Sequence, residues 1–115
     1  MNDDQTTVGQ LKQLVADFVA ERDWQQFHDP KNLSMAIAIE AAELMEHFQW
    51  LRNDQVDEAL PADELDEIRE ELADVAAFLL SLANVLEVDL SAAVERKMAK
   101  NADKYPAETF RGRFR

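Results

Sequence analysis

The sequence predicts an all-α protein, a four-helix bundle, and three features carry that reading. An apolar period of 3.6 residues recurs in four segments. The 115 residues include only two Gly and three Pro, too few for a turn-rich β fold. Helix-start signals stand ahead of the periodic stretches.

The first helix is predicted from about Gln10 to Arg22, with Leu11, Leu14, Val15, Phe18 and Val19 on its inner face. Thr7 and Gln10 have the spacing of a capping box. A connector, DWQQFHDP, follows. The second helix starts near Pro30, with Asp29 as N-cap, and reaches Trp50 or Leu51. Asn53 to Pro61 reads as a polar loop. The third helix begins near Ala62, where Asp63, Glu64, Asp66 and Glu67 suit the positive end of the helix dipole. Its inner face is Leu65, Ile68, Leu72, Val75, Ala76, Leu79, Leu82, Ala83 and Leu86. The fourth starts after Asp89 or Ser91 and runs to about Asp103, with Val94 and Met98 in the core. No linker or repeat divides the chain, so residues 1–115 are expected to form one domain.

Two acid pairs share one spacing on the middle helices. Glu40 and Glu43 sit three apart, as do Glu71 and Asp74, and residues three apart on a helix share a face. Both pairs continue apolar lines: Glu40 lies between Ala36 and Leu44, and Glu71 leads into Val75 and Phe78. Neither pair is expected on the water side. Inward carboxylates are costly unless a positive charge meets them. Four from two helices suit a hard divalent cation held by oxygen, such as Mg2+. Glu46 is displaced around the helix and is a weaker ligand. Glu64, Asp66, Glu67 and Glu70 read as solvated.

Composition narrows the function further. The net charge of -12 disfavours binding a long nucleic acid. The acidity is concentrated in residues 1–94, while residues 95–115 are net basic. No Cys is present, which excludes thiolate catalysis and Cys-type zinc sites. The start MNDDQTT is polar and acidic, unlike a signal peptide, and no apolar run is long enough to span a membrane. A cytoplasmic protein is expected. The second and third helices are apolar on more than one side, more than a chain of this size can cover, so a homo-oligomer is expected.

On the fourth helix Lys97, Asn101 and Lys104 share a face, a stripe that suits phosphate oxygens and a sugar hydroxyl, or an ordinary wet surface. Trp24, Phe27, His28 and Trp50 are candidates to sandwich a nucleobase; on the other reading Trp24 and Trp50 close the ends of the bundle and His28 is a surface or capping residue. The two Gly, at 9 and 112, form no phosphate loop.

These residues together resemble a known family. Glu40-x-x-Glu43 followed by Glu71-x-x-Asp74, with RDWQQFHDPKNL, EAAELMEHFQW, EELADV and KMAKNADKYP in order, is similar to the MazG-type all-α nucleoside triphosphate pyrophosphohydrolases. Within them it looks like the dCTP pyrophosphatase branch. The resemblance implies Mg2+ on Glu40, Glu43, Glu71 and Asp74. It implies triphosphate contacts from Lys97 and Asn101, with Lys104 and Tyr105 nearby, and base-pocket roles for Trp24 and Trp50, with His28 close by. It also implies dimers or tetramers whose sites involve more than one subunit. Two positions depart from the eukaryotic pattern: Val15 replaces a His nine residues before the first Trp, and Phe78 replaces a Tyr four residues after the last metal acid. Both changes remove polar groups near the nucleotide.

The expected activity is Mg2+-dependent cleavage of a nucleoside triphosphate into monophosphate and pyrophosphate. The metal would neutralise phosphate charge, and Glu40 or Glu43 would orient the attacking water. The substrates implied are (deoxy)pyrimidine or modified nucleotides such as dCTP. A metal-storing or oxygen-activating carboxylate bundle would need Glu-x-x-His, but Leu44 precedes His47 and Gln25 precedes His28 at that spacing. A non-enzymatic acidic interaction module would explain the charge, but not inward acids together with the Lys97 stripe.

Overall fold

Thr7 opens the first helix by the reciprocal bonding that its spacing to Gln10 predicts. The Gln10 amide donates to Thr7 Oγ1 at 3.1 Å, and the Thr7 amide donates to Gln10 Oε1 at 2.8 Å. The computed structural model describes residues 1–54 and 60–114. Its first helix, α1, spans Val8–Glu21. A 3-10 turn, Gln25–Phe27, occupies the connector, and α2 spans Pro30–Glu46 behind the Asp29 cap. Next come α3, Ala62–Val85, and α4, Leu90–Lys104, which is capped by Asp89. A short α5, Ala107–Phe110, was not expected. No strand occurs among the described residues.

The second helix ends earlier than the sequence suggests. After Glu46 the chain continues in tightened turns, with the His47 and Phe48 amides bonded three residues back to Leu44 and Met45. No Gly or Pro marks that change, so the hydrophobic period runs through it. Part of the predicted polar loop, residues 55–59, lies outside the described residues.

Both α1 and α3 end in the same way. Asp23 and Glu87 adopt left-handed φ of 53° and 54°. The next amide bonds five residues back in each case: Trp24 to the Val19 carbonyl at 3.0 Å, and Val88 to the Ala83 carbonyl at 2.9 Å. This is a Schellman cap built without glycine, and it fixes where Trp24 leaves α1.

The packing centres on α3, with α2 along it and α1 against it. Val19, Leu33, Ile68, Leu80 and Ala83 are buried there, with Ser81. Several expected core residues are not buried: Leu14, Phe18, Leu72, Leu79, Leu86, Val94 and Met98 are all exposed. Leu14 and Phe18 border a cavity, and for the residues of α3 and α4 the reason is geometric. Helices α3 and α4 meet at a bend of 101°, so α4 leaves the bundle instead of covering it. The radius of gyration is 17.2 Å, against about 13–14 Å for a compact domain of this length. Among the described residues no single helix is long and apolar enough to cross a membrane.

Candidate active site

The paired helices bring three of the four acids together. One carboxylate oxygen each from Glu40, Glu43 and Glu71 lies within 4.8 Å of the others. Glu40 and Glu71 are half-buried, and the Oε2 of each is closed off from solvent without a hydrogen-bond partner. Burial, followed by the charges of Glu43 and Asp74, raises the pKa of Glu40 above its ordinary value. Burial first, and then Glu43, does the same for Glu71, with Asp74 adding to it. Glu43 and Asp74 themselves are exposed. The expectation that neither pair faces water therefore holds only for the inner member of each, because within one chain nothing lies over the outer members.

The donor set fits a hard divalent ion. All donors are oxygens, they repel one another, and two buried oxygens have no donor to satisfy them. A cation such as Mg2+ removes both penalties, whereas a soft ion would gain little without sulfur or nitrogen.

Beside the acids lies a cavity of about 530 Å³, lined by Val15, Phe18, Trp24, His28, Asp74 and Phe78 among others. Asp74 belongs both to this wall and to the field acting on Glu40 and Glu71. His28 sits between Trp24, stacked at 6.4 Å, and Phe78, also at 6.4 Å. Phe18 meets Trp24 edge-on at 5.8 Å. The His28 Nδ1 is buried without a partner. The apolar period of α1 places Phe18 in the core, whereas in the fold it walls the cavity. Its signal was present, since Phe18 follows Leu14 and Val15 on one face of α1.

Other site residues stand apart within one chain. Trp50 is 85% exposed, beyond the far end of α2 from Trp24. Lys97 and Lys104 are exposed and Asn101 is half-buried, all on α4. No hydrogen bond or ion pair joins the Lys97 side chain to an acid among the described residues. Lys104 lies 5.3 Å from the Tyr105 ring, which packs edge-on with Phe110.

Glu64 is not simply solvated, as its sequence suggested. Its Oε1 is 2.6 Å from His47 Nδ1, tying the end of α2 to the first turn of α3. That hydrogen bond raises the His47 pKa despite partial burial.

The description "MazG-like family" matches residues 35–113. This chain belongs to the MazG-like family. The MazG-like match contains all four acids and the α4 stripe, while Trp24 and His28 precede it. The chain is 43% identical over 107 residues to dCTP pyrophosphatase 1 of mouse, covering 92% of this chain and 63% of that protein. It is 41% identical over 110 residues to dCTP pyrophosphatase 1 of human, covering 95% of this chain and 65% of that protein. It thus spans somewhat under two thirds of these relatives. A crystal structure of a pyrophosphatase from Archaeoglobus fulgidus superposes with a TM-score of 0.81 at 41% identity, covering 92% of this chain and 98% of that one.

Proposed function

We propose that residues 1–115 form a single nucleotide pyrophosphohydrolase domain, Mg2+-dependent, that converts a nucleoside triphosphate to its monophosphate and pyrophosphate. The observation that carries this reading is the double role of Asp74, which borders both the carboxylate cluster and the aromatic cavity. Such adjacency lets one ligand place its phosphates on the acids and its base among the rings. The names of the relatives favour dCTP, and (deoxy)pyrimidine or modified nucleotides are the proposed substrate class. A largely apolar wall that includes Val15, Trp24 and Phe78 suits a base recognised mainly by stacking.

In this reading Glu40, Glu43, Glu71 and Asp74 hold the cation. When bound, the ion would offset phosphate charge and polarise the phosphorus toward water. Glu40 or Glu43 orients the attacking water and takes its proton, a task for which the raised pKa of Glu40 is suited. Lys97 and Asn101, with Lys104 and Tyr105 beside them, hold the triphosphate. Trp24, His28 and Trp50 hold the base.

Trp50 and the α4 stripe lie away from the acids of their own chain, so the proposal includes a homo-oligomer, dimer or tetramer, that joins them. The exposed Ile39, Leu72 and Leu79 support it. A cytoplasmic location is part of the same reading. Incubating the chain with a panel of nucleoside triphosphates and Mg2+, and identifying the products, tests the activity. Pyrophosphate and monophosphate are expected; release of inorganic phosphate and diphosphate would refute it. A monomeric mass by light scattering would refute the assembly.

A further inference from the structure

The direction of α4 is set at the turn between Leu86 and Asp89, and one residue of that turn joins three structural elements. The Val88 amide closes the cap of α3 on Ala83 at 2.9 Å. The Val88 carbonyl accepts from the Lys12 ammonium of α1 at 2.8 Å. The next residue, Asp89, caps α4 through the Ala92 amide at 3.0 Å. Lys12 is held from its other end as well, because Asn84 Nδ2 donates to the Lys12 carbonyl at 3.0 Å. Lys12, Asn84 and Val88 are all half-buried. A charged donor on a carbonyl, partly withdrawn from water, is among the stronger hydrogen bonds a chain makes.

Little else fixes α4 within the chain. None of α1, α2 and α3 packs extensively on it, and it departs at 101° from α3. Among the described residues, the Lys12–Val88 bond is the side-chain hydrogen bond from another helix that reaches this turn. Helix α4 also carries Lys97, Asn101 and Lys104. A small change in angle at Val88 is multiplied along the 15 residues of the helix.

We propose that Lys12 is a positioning residue, which clamps the α3–α4 turn and thereby aims the triphosphate-binding stripe of α4. The consequence for substrate rests on the activity proposed above; the clamp itself does not. Lys12 touches no site residue, so its effect should appear in nucleotide binding and leave the carboxylate cluster alone.

The absence of cysteine makes a direct test available. Nitroxide labels at Glu70→Cys on α3 and Glu95→Cys on α4, both exposed positions, report the interhelical distance by pulsed EPR. Diluting with unlabelled chain isolates the distance within one chain. Lys12→Met keeps the aliphatic stem and removes the ammonium; Lys12→Arg keeps a donor. The expected result is a narrow distribution for the parent and Lys12→Arg, and a broad or shifted one for Lys12→Met. In the unlabelled proteins, Lys12→Met should raise KM for the triphosphate about tenfold with kcat nearly unchanged, and Lys12→Arg should restore it. An unchanged distance distribution in Lys12→Met overturns the clamp. A changed distribution with unchanged KM overturns its role in aiming the stripe. A parent without hydrolytic activity would refute the proposed function, while the distances would still decide the clamp.

Discussion

Glu40 and Glu71 face each other across the α2–α3 seam, each with its Oε2 closed off from solvent and without a hydrogen-bond donor. Their pKa values in the folded chain stand above the ordinary 4.5. The folded protein therefore keeps protons there that the unfolded chain releases. Stability from these groups is fully present below the ordinary value and is lost as pH rises through the raised values.

For metal-free protein, this predicts that Glu40→Gln gains on the parent as pH rises. Thermal unfolding in chelator should show a melting-temperature difference that widens from acid toward neutral pH. Adding Mg2+ should raise the parent's melting temperature most at neutral pH, where the acids are ionised. A difference independent of pH would refute the electrostatic account.

Glu43→Gln and Asp74→Asn should each lower turnover by about 100-fold or more, with helix content unchanged by circular dichroism. Each would lose one proposed ligand charge from an exposed position, where the fold does not depend on it. Near-parental turnover by either variant at low Mg2+ would remove the metal assignment.

Trp24 stands in the cavity with Phe18 and His28, so Trp24→Ala should raise KM for the best nucleotide by roughly 10- to 100-fold and blunt discrimination among bases. Trp50→Ala should do likewise only if a second copy carries Trp50 to the pocket. Competition between nucleotides measures both. Full base discrimination in both variants would make the tryptophans packing residues.

Glu87 holds a left-handed φ that glycine adopts without a side-chain clash. Glu87→Gly should stabilise the protein by about 0.5–1 kcal/mol, read as a higher midpoint in chemical denaturation. A lower midpoint would mean that the side chain contributes more than the backbone strain costs.

The caps and the paired acids were legible because their causes are local. Thr7 with Gln10, Asp29 before Pro30, and three-residue acid spacing all act within one turn of helix. The start of α3 at Ala62 was legible for the same reason. What was not legible depends on tertiary direction: Leu72 and Leu79 read as core from their period, yet whether a face is covered is decided by where α4 goes. The Lys12–Val88 bond spans 76 positions in sequence, and no pattern near Lys12 announces it. Glu64 looked like one more solvated acid, because its partner His47 lies across the loop.

The bend of 101° between α3 and α4 places the acids and the cationic stripe on separate arms of one chain. If each working site draws its arms from different copies, a defect in one arm is not final. A population carrying Glu43→Gln alone and a population carrying Lys97→Ala alone would each have only damaged sites. Co-assembled from the unfolded state, they would form mixed particles in which one site unites the intact acids of the second with the intact stripe of the first. The two defective alleles would then complement each other. A site built from arms of the same chain could never be rescued in that way.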